Sequence, residues 1–460
     1  MPRLRPVLPD SWRRAATAIC AAALATALVA CGAMQGAVQQ PAAPTLQPRV
    51  PTTPPDAGRA TVQATLVGGD RLPAPARSAV EPGIVVLVRD SAQLLRGKRV
   101  GLITNHTGVA NGTSSIDLLA RLPGTRLTAL FGPEHGIRGA AEAGVTVASG
   151  VDAATGVRIH SLYGATRVPT PAMLREVDVL VYDIQDVGAR VYTYPWTMAL
   201  AADAAAKAGI PFIVCDRPVP VGGDVVQGGV LDTAFRSFVG QYPVALRYGL
   251  TQGELLRHLV RTKQVRSAGL HVIPVRGWTR AMWYDETGLP WIAPSPNLRT
   301  LDAATVYGGT VFFEGTNLSE GRGTDAPFQL VGAPWLQAAV VVADLRALAL
   351  PGLAFDTATR TIAAGQKHAG LTIPMVRITV TDRRAVQAPD LGAWMLQVIR
   401  RRHPAQFTWR AEHMDRLAGT DELRHLVDRG DDAALRDLLA RWRSSAAAFA
   451  RATEPDRLYR

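Results

Sequence analysis

The residues best suited to chemistry follow a short apolar run that ends at Gly132 and Pro133. Residues 127–131 are predicted to form a buried strand, and Glu134 and His135 come directly after the break. Glycine and proline mark the end of a strand, and a carboxylate beside an imidazole offers two titratable groups for proton transfer. Glu134 is therefore the first candidate for a catalytic acid or base, although a lone Glu-His pair can also form a salt bridge within a loop.

Three further predicted strands also end in polar residues. In an open parallel sheet, ligands bind beyond the carboxyl ends of the strands, so residues that follow different strands can meet in one crevice. One polar strand end is usually a helix cap, but several together favour a binding site. The residues that we expect beside Glu134 are Asn105, His106, Asp183, Asp186, Asp216 and Arg217.

The segment that follows Asp183 carries an arginine among tyrosines. Arg190 and Tyr192 stand seven and nine residues after the aspartate, respectively. Arginine binds a carboxylate through two parallel hydrogen bonds, and aromatic faces pack against sugar rings, so the pair suits an acidic sugar. A simple ion pair between Arg190 and Asp183 or Asp186 accounts for the pattern equally well.

The second half of the chain repeats the pattern of an apolar run followed by an acid. Residues 306–313 are predicted to form a strand that delivers Glu314 to a glycine-rich loop, in which Asn317 and Arg322 follow. Residues 277–297 are dense in Trp, Pro and Gly outside any periodic pattern, which is typical of a binding loop ending at Asn297. Such aromatic residues can equally cover the edge of a core.

Short apolar runs alternate with helical patterns in the first half of the chain. The predicted strands are 84–88, 99–104, 127–131, 178–183 and 211–215, and the predicted helices between them are 114–121, 171–176 and 196–209. This alternation predicts an α/β fold. We expect a Rossmann-like parallel-sheet domain over residues 82–300 and a second, smaller α/β C-terminal domain over residues 301–460 that closes the cleft. No Gly-x-Gly-x-x-Gly follows the first strand, so no cofactor is expected.

Residues 1–31 are predicted to be a lipoprotein signal peptide. Arginines precede an alanine-rich apolar stretch at residues 15–30, which ends in Leu-Val-Ala before Cys31. This ending resembles the lipobox of bacterial lipoproteins, in which the cysteine receives the lipid. Gly32 stands where the inner-membrane retention signal has Asp, so we expect a periplasmic protein anchored in the outer membrane. An ordinary cleaved signal peptide is the alternative.

Residues 32–81 are rich in Ala and Pro and have no apolar periodicity. Chains of this composition cannot bury enough surface to offset the entropy of ordering, so the segment is predicted to be an extended tether.

The composition limits the partners of the protein. The net charge of +12 comes almost entirely from arginine, since the chain contains only four lysines. No stripe of interleaved aromatic and basic residues is present, so nucleic acid is not an expected partner. The sequence has no His-Glu-x-x-His spacing for a metal and no serine in a nucleophile-elbow motif.

Seven ordered motifs resemble the NamZ family of exo-β-N-acetylmuramidases, formerly a domain of unknown function. The motifs are GLITNHTGV (101–109), FGPEHGIRG (131–139), YDIQDVGARVYTY (182–194), DRP (216–218), WYDETGLPW (283–291), PSPN (294–297) and EGTNLSEGRGT (314–324). The resemblance spans about residues 82–459. It implies a Rossmann-like catalytic domain, a smaller C-terminal domain, and release of N-acetylmuramic acid from the non-reducing end of peptidoglycan fragments.

The same resemblance suggests roles for the candidate residues. Glycosidases use one carboxyl group as general acid and a second as base or nucleophile. Glu134 is the expected acid/base, and Glu314 or Asp186 is the expected partner, unless the 2-acetamido group of the substrate is the nucleophile. Arg190 and Arg322 are expected to bind the lactyl carboxylate of muramic acid. The full set of expected substrate-binding residues is Asn105, His106, His135, Asp183, Arg190, Tyr192, Asp216, Arg217, Asn297, Asn317 and Arg322.

A protein of another class would use the same crevice differently. A non-catalytic lipoprotein could bind a peptidoglycan-derived saccharide there without cleaving it, and it would show binding without turnover.

Overall fold

The structure is a computed structural model, and it describes residues 80–137, 145–146 and 148–460. The predicted signal peptide, Cys31 and nearly all of the predicted tether lie outside the described residues. Its last two residues, Val80 and Glu81, are folded: Val80 is buried, and backbone hydrogen bonds of 2.9 and 3.0 Å join Glu81 to Arg276. The described chain therefore begins with two residues that the sequence assigned to the tether.

Strands and helices alternate through the first half of the described chain. The strands are β1 Arg99–Thr104, β2 Val109–Ala110, β3 Thr113–Ser114, β4 Arg126–Gly132, β5 Gly150–Val151, β6 Arg158–Ser161, β7 Val179–Asp183, β8 Phe212–Cys215, β9 Gln227–Val230, β10 Ala245–Arg247, β11 Leu270–Ile273, β12 Leu330–Gly332, β13 Leu353–Thr361 and β14 Thr372–Val380. The helices are α1 Gly83–Asp90, α2 Ser115–Ala120, α3 Pro171–Leu174, α4 Tyr194–Lys207, α5 Gln252–Arg261, α6 Leu301–Thr310, α7 Ala338–Ala347, α8 Ala388–Arg402, α9 Ala411–Ala418, α10 Glu422–Arg429 and α11 Asp432–Ala452.

A seven-stranded sheet in the order β11-β8-β7-β1-β4-β6-β5 forms the centre of the first half. Every neighbouring pair is parallel except β5 with β6. Successive residues of β7 belong to different cores: Val181 packs in the cluster that contains α1 and α2, and Tyr182 packs in the one that contains α4 and α5. Helices therefore cover both faces of the sheet, which explains why β7 is apolar without alternation. The predicted α/β class is confirmed.

The C-terminal part carries a separate three-stranded antiparallel sheet in the order β12-β14-β13. Side chains from this sheet, such as Val376, pack with Leu396 of α8 and Leu438 of α11 in one large cluster. That cluster also contains Tyr182 of β7. The second half of the chain is thus a mixture of helices and antiparallel strands, as the sequence predicts.

Within the described residues, no helix is both long and apolar enough to cross a membrane.

Two predicted strands are helices. Residues 84–88 belong to α1, because the backbone N–H of Gly83 donates to Asp216 O at 2.8 Å and starts a helix against the end of β8. A side chain at Gly83 would lie 2.4 Å from the Asp216 nitrogen, so only glycine permits this approach. Ile84 and Leu87 then face one core at helical spacing. A short apolar run does not distinguish a buried strand from a buried helix.

Residues 306–313 belong to α6 and to a 3₁₀ turn at Val311–Gly315 rather than to a strand. The Thr300 hydroxyl accepts a hydrogen bond from Ala303 N at 3.1 Å and caps the helix. A side chain at Gly309 would lie 1.8 Å from the Ala388 carbonyl oxygen, so the glycine permits close packing of α6 on α8. The 3₁₀ turn, not a strand end, delivers Glu314.

Candidate active site

A tight turn after β4 positions Glu134 and His135. The turn is closed by a hydrogen bond of 2.9 Å from Gly136 N to Pro133 O. His135 has φ +69° and Gly136 has φ +72°, and the left-handed conformation is uncommon for a residue with a side chain. Strained residues of this kind are concentrated at functional sites, and the turn lies beyond the carboxyl end of a parallel strand.

Two hydroxyl groups contact the Glu134 carboxylate. Thr193 Oγ1 donates to Glu134 Oε2 at 2.7 Å, and Thr193 directly precedes α4. The Tyr163 hydroxyl, which follows β6, also hydrogen-bonds to Glu134. Burial, with the negative charges of Glu134 and Glu314, raises the pKa of Tyr163 to about 12. Tyr163 is therefore a neutral donor at physiological pH.

Glu134 lies in the wall of a cavity of about 690 Å³. This volume is within the range usual for small-molecule sites, and it can hold a sugar. The sheet, the loop 294–298 and the C-terminal part all contribute to the wall. The lining residues are Glu134, His135, Val145, Tyr163, Val191, Tyr192, Thr193, Val239, Ser295, Leu298, Tyr307, Glu314, Glu320, Arg322, Phe328, Ala364, Gly365, Gln366, Lys367, Arg410 and His413.

A second carboxylate, Glu314, lies in the same cavity and contacts Arg322 and His413. Arg322 Nη2 donates to Glu314 Oε1 at 2.7 Å, and His413 Nε2 is 3.7 Å from Glu314 Oε2. Although burial alone would raise the pKa of Glu314, the charge of Arg322 and the neighbouring His413 outweigh it, and the pKa falls below the usual range for glutamate. Glu314 is therefore ionised at neutral pH.

Glu320 extends this network. It pairs with Arg322 Nε at 3.0 Å and with Lys367 Nζ at 3.0 Å. The same lysine nitrogen donates to the carbonyl oxygens of Phe313 and Leu318, both at 2.9 Å. These two carbonyl groups lie on either side of Glu314 in the chain, so the contacts of Lys367 stabilise the 3₁₀ turn that carries the carboxylate.

Aromatic rings form part of the wall between the two carboxylates. Tyr192 and Tyr307 meet edge to face with centroids 5.9 Å apart, and Tyr307 meets Phe328 at 4.8 Å. Burial, then the charges of Glu314 and Glu134 among others, raise the pKa of Tyr307 well above its ordinary value. The charges of Glu134 and Glu314 raise the pKa of Tyr307 as well as that of Tyr163, so the two carboxylates belong to one site.

The structure brings five of the predicted site residues to the cavity. These residues are Glu134, His135, Tyr192, Glu314 and Arg322. Their roles in binding and catalysis remain predictions.

The polar residues at the ends of β7 and β8 are occupied by contacts within the protein and do not line the cavity. Asp183 is fully buried and pairs with Arg217, whose Nε is 2.6 Å from Asp183 Oδ1. Asp183 also accepts from Ser115. Asp216, likewise fully buried, accepts from Gly253 N at 2.9 Å and from the Tyr459 hydroxyl at 2.6 Å. These three predicted substrate-binding residues hold the sheet to its surroundings.

Asp186 is placed away from the cavity, which corrects its assignment as a candidate second carboxylate. Its Oδ2 accepts from Gly188 N at 2.7 Å and from the Tyr248 hydroxyl. Burial raises its pKa to about 6. The space beside it is only about 10 Å³, which is too small for a sugar.

Four more predicted residues lie outside the cavity lining. The Asn105 side chain accepts from Thr107 N at 2.9 Å and closes a local turn. The His106 ring contacts Ala293 O at 2.8 Å, and burial lowers its pKa. Asn317 bridges to the loop after α8, donating to Gln406 O at 2.8 Å. Asn297 is buried, and in the sequence it stands between Ser295 and Leu298, which line the cavity.

Arg190 is also a structural residue, which corrects its expected role in binding a carboxylate. It is fully buried, and its guanidinium donates to four backbone carbonyls, those of Gly229, Val244, Leu417 and Ala418, at 2.8 to 3.1 Å. Burial lowers its pKa to about 9. Arg190 therefore joins the sheet half to the C-terminal helices.

We expect Arg190→Met to lower the free energy of unfolding by about 3 kcal/mol, because it leaves buried carbonyl groups without a donor. KM for substrate should stay at the wild-type value in the folded fraction. Urea unfolding measures the first quantity, and Arg416→Met, an exposed change in α9, is the matched control. If the variant had wild-type stability and a raised KM, Arg190 would be a substrate-binding residue and not a structural one.

Several cavity residues were not predicted as site residues. Tyr163, Thr193, Glu320, Lys367, Arg410 and His413 line the cavity, although no motif marks the positions of Lys367, Arg410 and His413. One signal was available: Lys367 is one of only four lysines in an arginine-rich chain.

An α/β sheet with a sugar-sized cavity at its carboxyl edge, in which Glu134 and Glu314 lie in different surroundings, fits a protein of the glycoside hydrolase type. Two family models match the chain: the N-terminal part of exo-β-N-acetylmuramidase NamZ over residues 100–302 and its C-terminal part over residues 305–459. The chain belongs to the NamZ family. The family resemblance drawn from the seven motifs is thereby confirmed.

Known proteins agree with this assignment. The chain is 44% identical over 353 residues to the peptidoglycan β-N-acetylmuramidase NamZ of Bacillus subtilis, covering 76% of this chain and 85% of that protein. Two crystal structures of DUF1343 family proteins from Bacteroides fragilis are similar in fold. The first has a TM-score of 0.77 at 36% identity and covers 84% of this chain and all of the other. The second has a TM-score of 0.66 at 28% identity, covering 83% and 99%.

Proposed function

We propose that this protein is an exo-β-N-acetylmuramidase that removes N-acetylmuramic acid from the non-reducing ends of peptidoglycan fragments during cell-wall turnover. The observation that carries the proposal is the meeting of Glu134 and Glu314 in one cavity of about 690 Å³ in a member of the NamZ family. The B. subtilis relative is named for the same activity on peptidoglycan.

The two carboxylates are suited to different roles. The hydroxyl groups of Thr193 and Tyr163 contact Glu134 and fix the position of its carboxyl group in the wall of the cavity. Glu134 is therefore the general acid that protonates the leaving oxygen. Glu314 is kept ionised by Arg322 and His413, so its charge can stabilise the positive charge that develops on the sugar in the transition state.

The proposal is tested by defined peptidoglycan fragments that differ only in the sugar at the non-reducing end. Fragments that begin with N-acetylmuramic acid should release that monosaccharide, and fragments that begin with N-acetylglucosamine should remain intact. Chromatography of the products measures both. Internal cleavage, or tight binding without any released sugar, would contradict the proposal.

We expect the protein to need no metal ion or nucleotide, because the sequence has neither a phosphate-binding loop nor a His-Glu-x-x-His motif. Activity after dialysis against a chelator should equal that of the untreated enzyme. Loss of activity that a single divalent ion restores would contradict this prediction.

We further propose that the protein is anchored through lipid on Cys31 in the periplasm, on the outer membrane. The proposal rests on the lipobox-like sequence before Cys31 and on Gly32 after it. Cys31→Ala should move the protein from the membrane pellet to the soluble periplasmic fraction with its specific activity unchanged. If the variant still sediments with membranes, the lipobox interpretation is wrong.

A further inference from the structure

The cations of the cavity differ in how much of their hydrogen-bonding capacity the protein already uses. Lys367 has three N–H donors, and they are directed to Phe313 O, Leu318 O and Glu320. Arg322 pairs with both Glu314 and Glu320, at 2.7 and 3.0 Å. Lys367 therefore has no donor left for a ligand, and the charge of Arg322 is already balanced by two carboxylates.

Arg410 is the cavity cation whose charge is not neutralised in this way. It lies just before α9 and is exposed, and it lines the same cavity as Glu134 and Glu314. Its side chain makes one long hydrogen bond, 3.4 Å from Nη1 to the backbone oxygen of Glu314. Within the part of the chain that the structure describes, Arg410 forms no salt bridge, so most of its five donors remain available to a ligand.

The local backbone holds Arg410 close to the second carboxylate. Arg410 N donates to Gly315 O at 2.8 Å, and α9 packs so tightly on the 3₁₀ turn that a side chain at Gly315 would lie 2.7 Å from Met414. The backbone of Arg410 is therefore fixed beside the segment that carries Glu314, within reach of the cavity that its side chain lines. A planar guanidinium at such a position can hold a carboxylate with two parallel hydrogen bonds.

We propose that Arg410 binds the lactyl carboxylate of the terminal N-acetylmuramic acid and thereby distinguishes this sugar from N-acetylglucosamine. The inference rests on the proposed function and assigns its specificity to one residue. Arg410 replaces Arg190, which is buried, and Arg322, which is occupied, as the residue that meets the acidic substituent.

The test uses a chromogenic phenyl N-acetylmuramide and the methyl ester of its lactyl group, which differ only in the negative charge. Arg410→Gln should lower kcat/KM for the acid about 10- to 100-fold, mainly through KM, because charge-assisted hydrogen bonds to the substrate are lost. Its kcat/KM for the ester should stay close to that of the wild type. Arg410→Lys, which keeps the charge but not the planar fork, should give an intermediate loss on the acid.

Two matched variants control for changes of surface charge. Arg416 lies on the same helix and pairs with Glu412, and Arg167 lies over the ring of Tyr163 at 5.6 Å without lining the cavity. Arg416→Gln and Arg167→Gln should leave the acid-to-ester ratio at the wild-type value.

The outcomes separate this inference from the proposed function. Arg410 would be excluded if Arg410→Gln lost activity equally on the acid and the ester, or lost none on either. It would also be excluded if Arg167→Gln showed the acid-specific loss instead. Each of these outcomes would leave the proposed activity in place. A wild-type protein that hydrolyses neither substrate would overturn the proposed function, and the role of Arg410 with it.

Discussion

Glu134→Gln should lower kcat on the natural disaccharide by about 10² to 10⁴-fold, the contribution typical of a general acid. Glutamine keeps the size of the side chain and can still accept from Thr193 Oγ1, which contacts Glu134 at 2.7 Å, but it cannot transfer the proton. The defect should depend on the leaving group. A substrate with an activated phenol needs less protonation, so it should lose much less rate than the disaccharide.

Folding of Glu134→Gln should be unaffected, because Glu134 lies in a turn at the open edge of the sheet. Glu412→Gln, a change at an exposed position of α9, controls for the substitution itself. A folded Glu134→Gln enzyme that cleaves the disaccharide within a few-fold of the wild type would remove Glu134 from the mechanism.

Glu314→Gln should also lower kcat strongly, by about 10² to 10³-fold, which is the usual cost of removing one electrostatic stabiliser of a transition state. Its loss should be similar for the activated phenol and the natural disaccharide, because Glu314 acts on the sugar and not on the leaving oxygen. This contrast with Glu134→Gln separates the two roles.

The pH dependence gives a further check on Glu314. Because Arg322 and His413 hold the pKa of Glu314 below its usual range, the carboxylate stays ionised as the pH falls towards the ordinary pKa of a glutamate. The stability that this lowered pKa contributes is fully present above the ordinary pKa of a glutamate, and it is lost progressively as the pH falls from there through the lowered value. The assignment would be wrong if the decrease of kcat at low pH disappeared in Glu314→Gln but remained in Glu134→Gln, because that decrease would then report the protonation of Glu314.

The parallel sheet was predictable because β1, β4, β7 and β8 are buried on both faces and read as continuous apolar runs. The same rule failed for residues 84–88 and 306–313, where an apolar run forms a helix. At both places a glycine, Gly83 or Gly309, allows a close approach to another part of the chain. Such contacts join distant segments and leave no local signal in the sequence.

The site was predictable only where a motif carries the residue on a turn at the edge of the fold. Glu134 and Glu314 are such residues. Asp183, Asp186 and Arg190 are also charged residues within motifs, yet they are buried and bound by Arg217, Tyr248 and backbone carbonyls. Residue type does not reveal whether a polar group faces a cavity or a neighbouring segment.

Residues such as Lys367 and His413 were missed for the converse reason. Lys367 reaches Glu320 across 47 positions of the chain, and His413 reaches Glu314 across the 3₁₀ turn that α9 packs against. Their participation depends on how the C-terminal part folds against the sheet half. No pattern within either segment reports that arrangement.

The proposed activity is tested most directly by hydrolysis of a chromogenic N-acetylmuramide beside the corresponding N-acetylglucosaminide, using the chain from residue 80 onward. We expect steady release of the phenol from the muramide and none above background from the glucosaminide. Equal rates on both sugars, or binding of the muramide with no release of phenol, would contradict it.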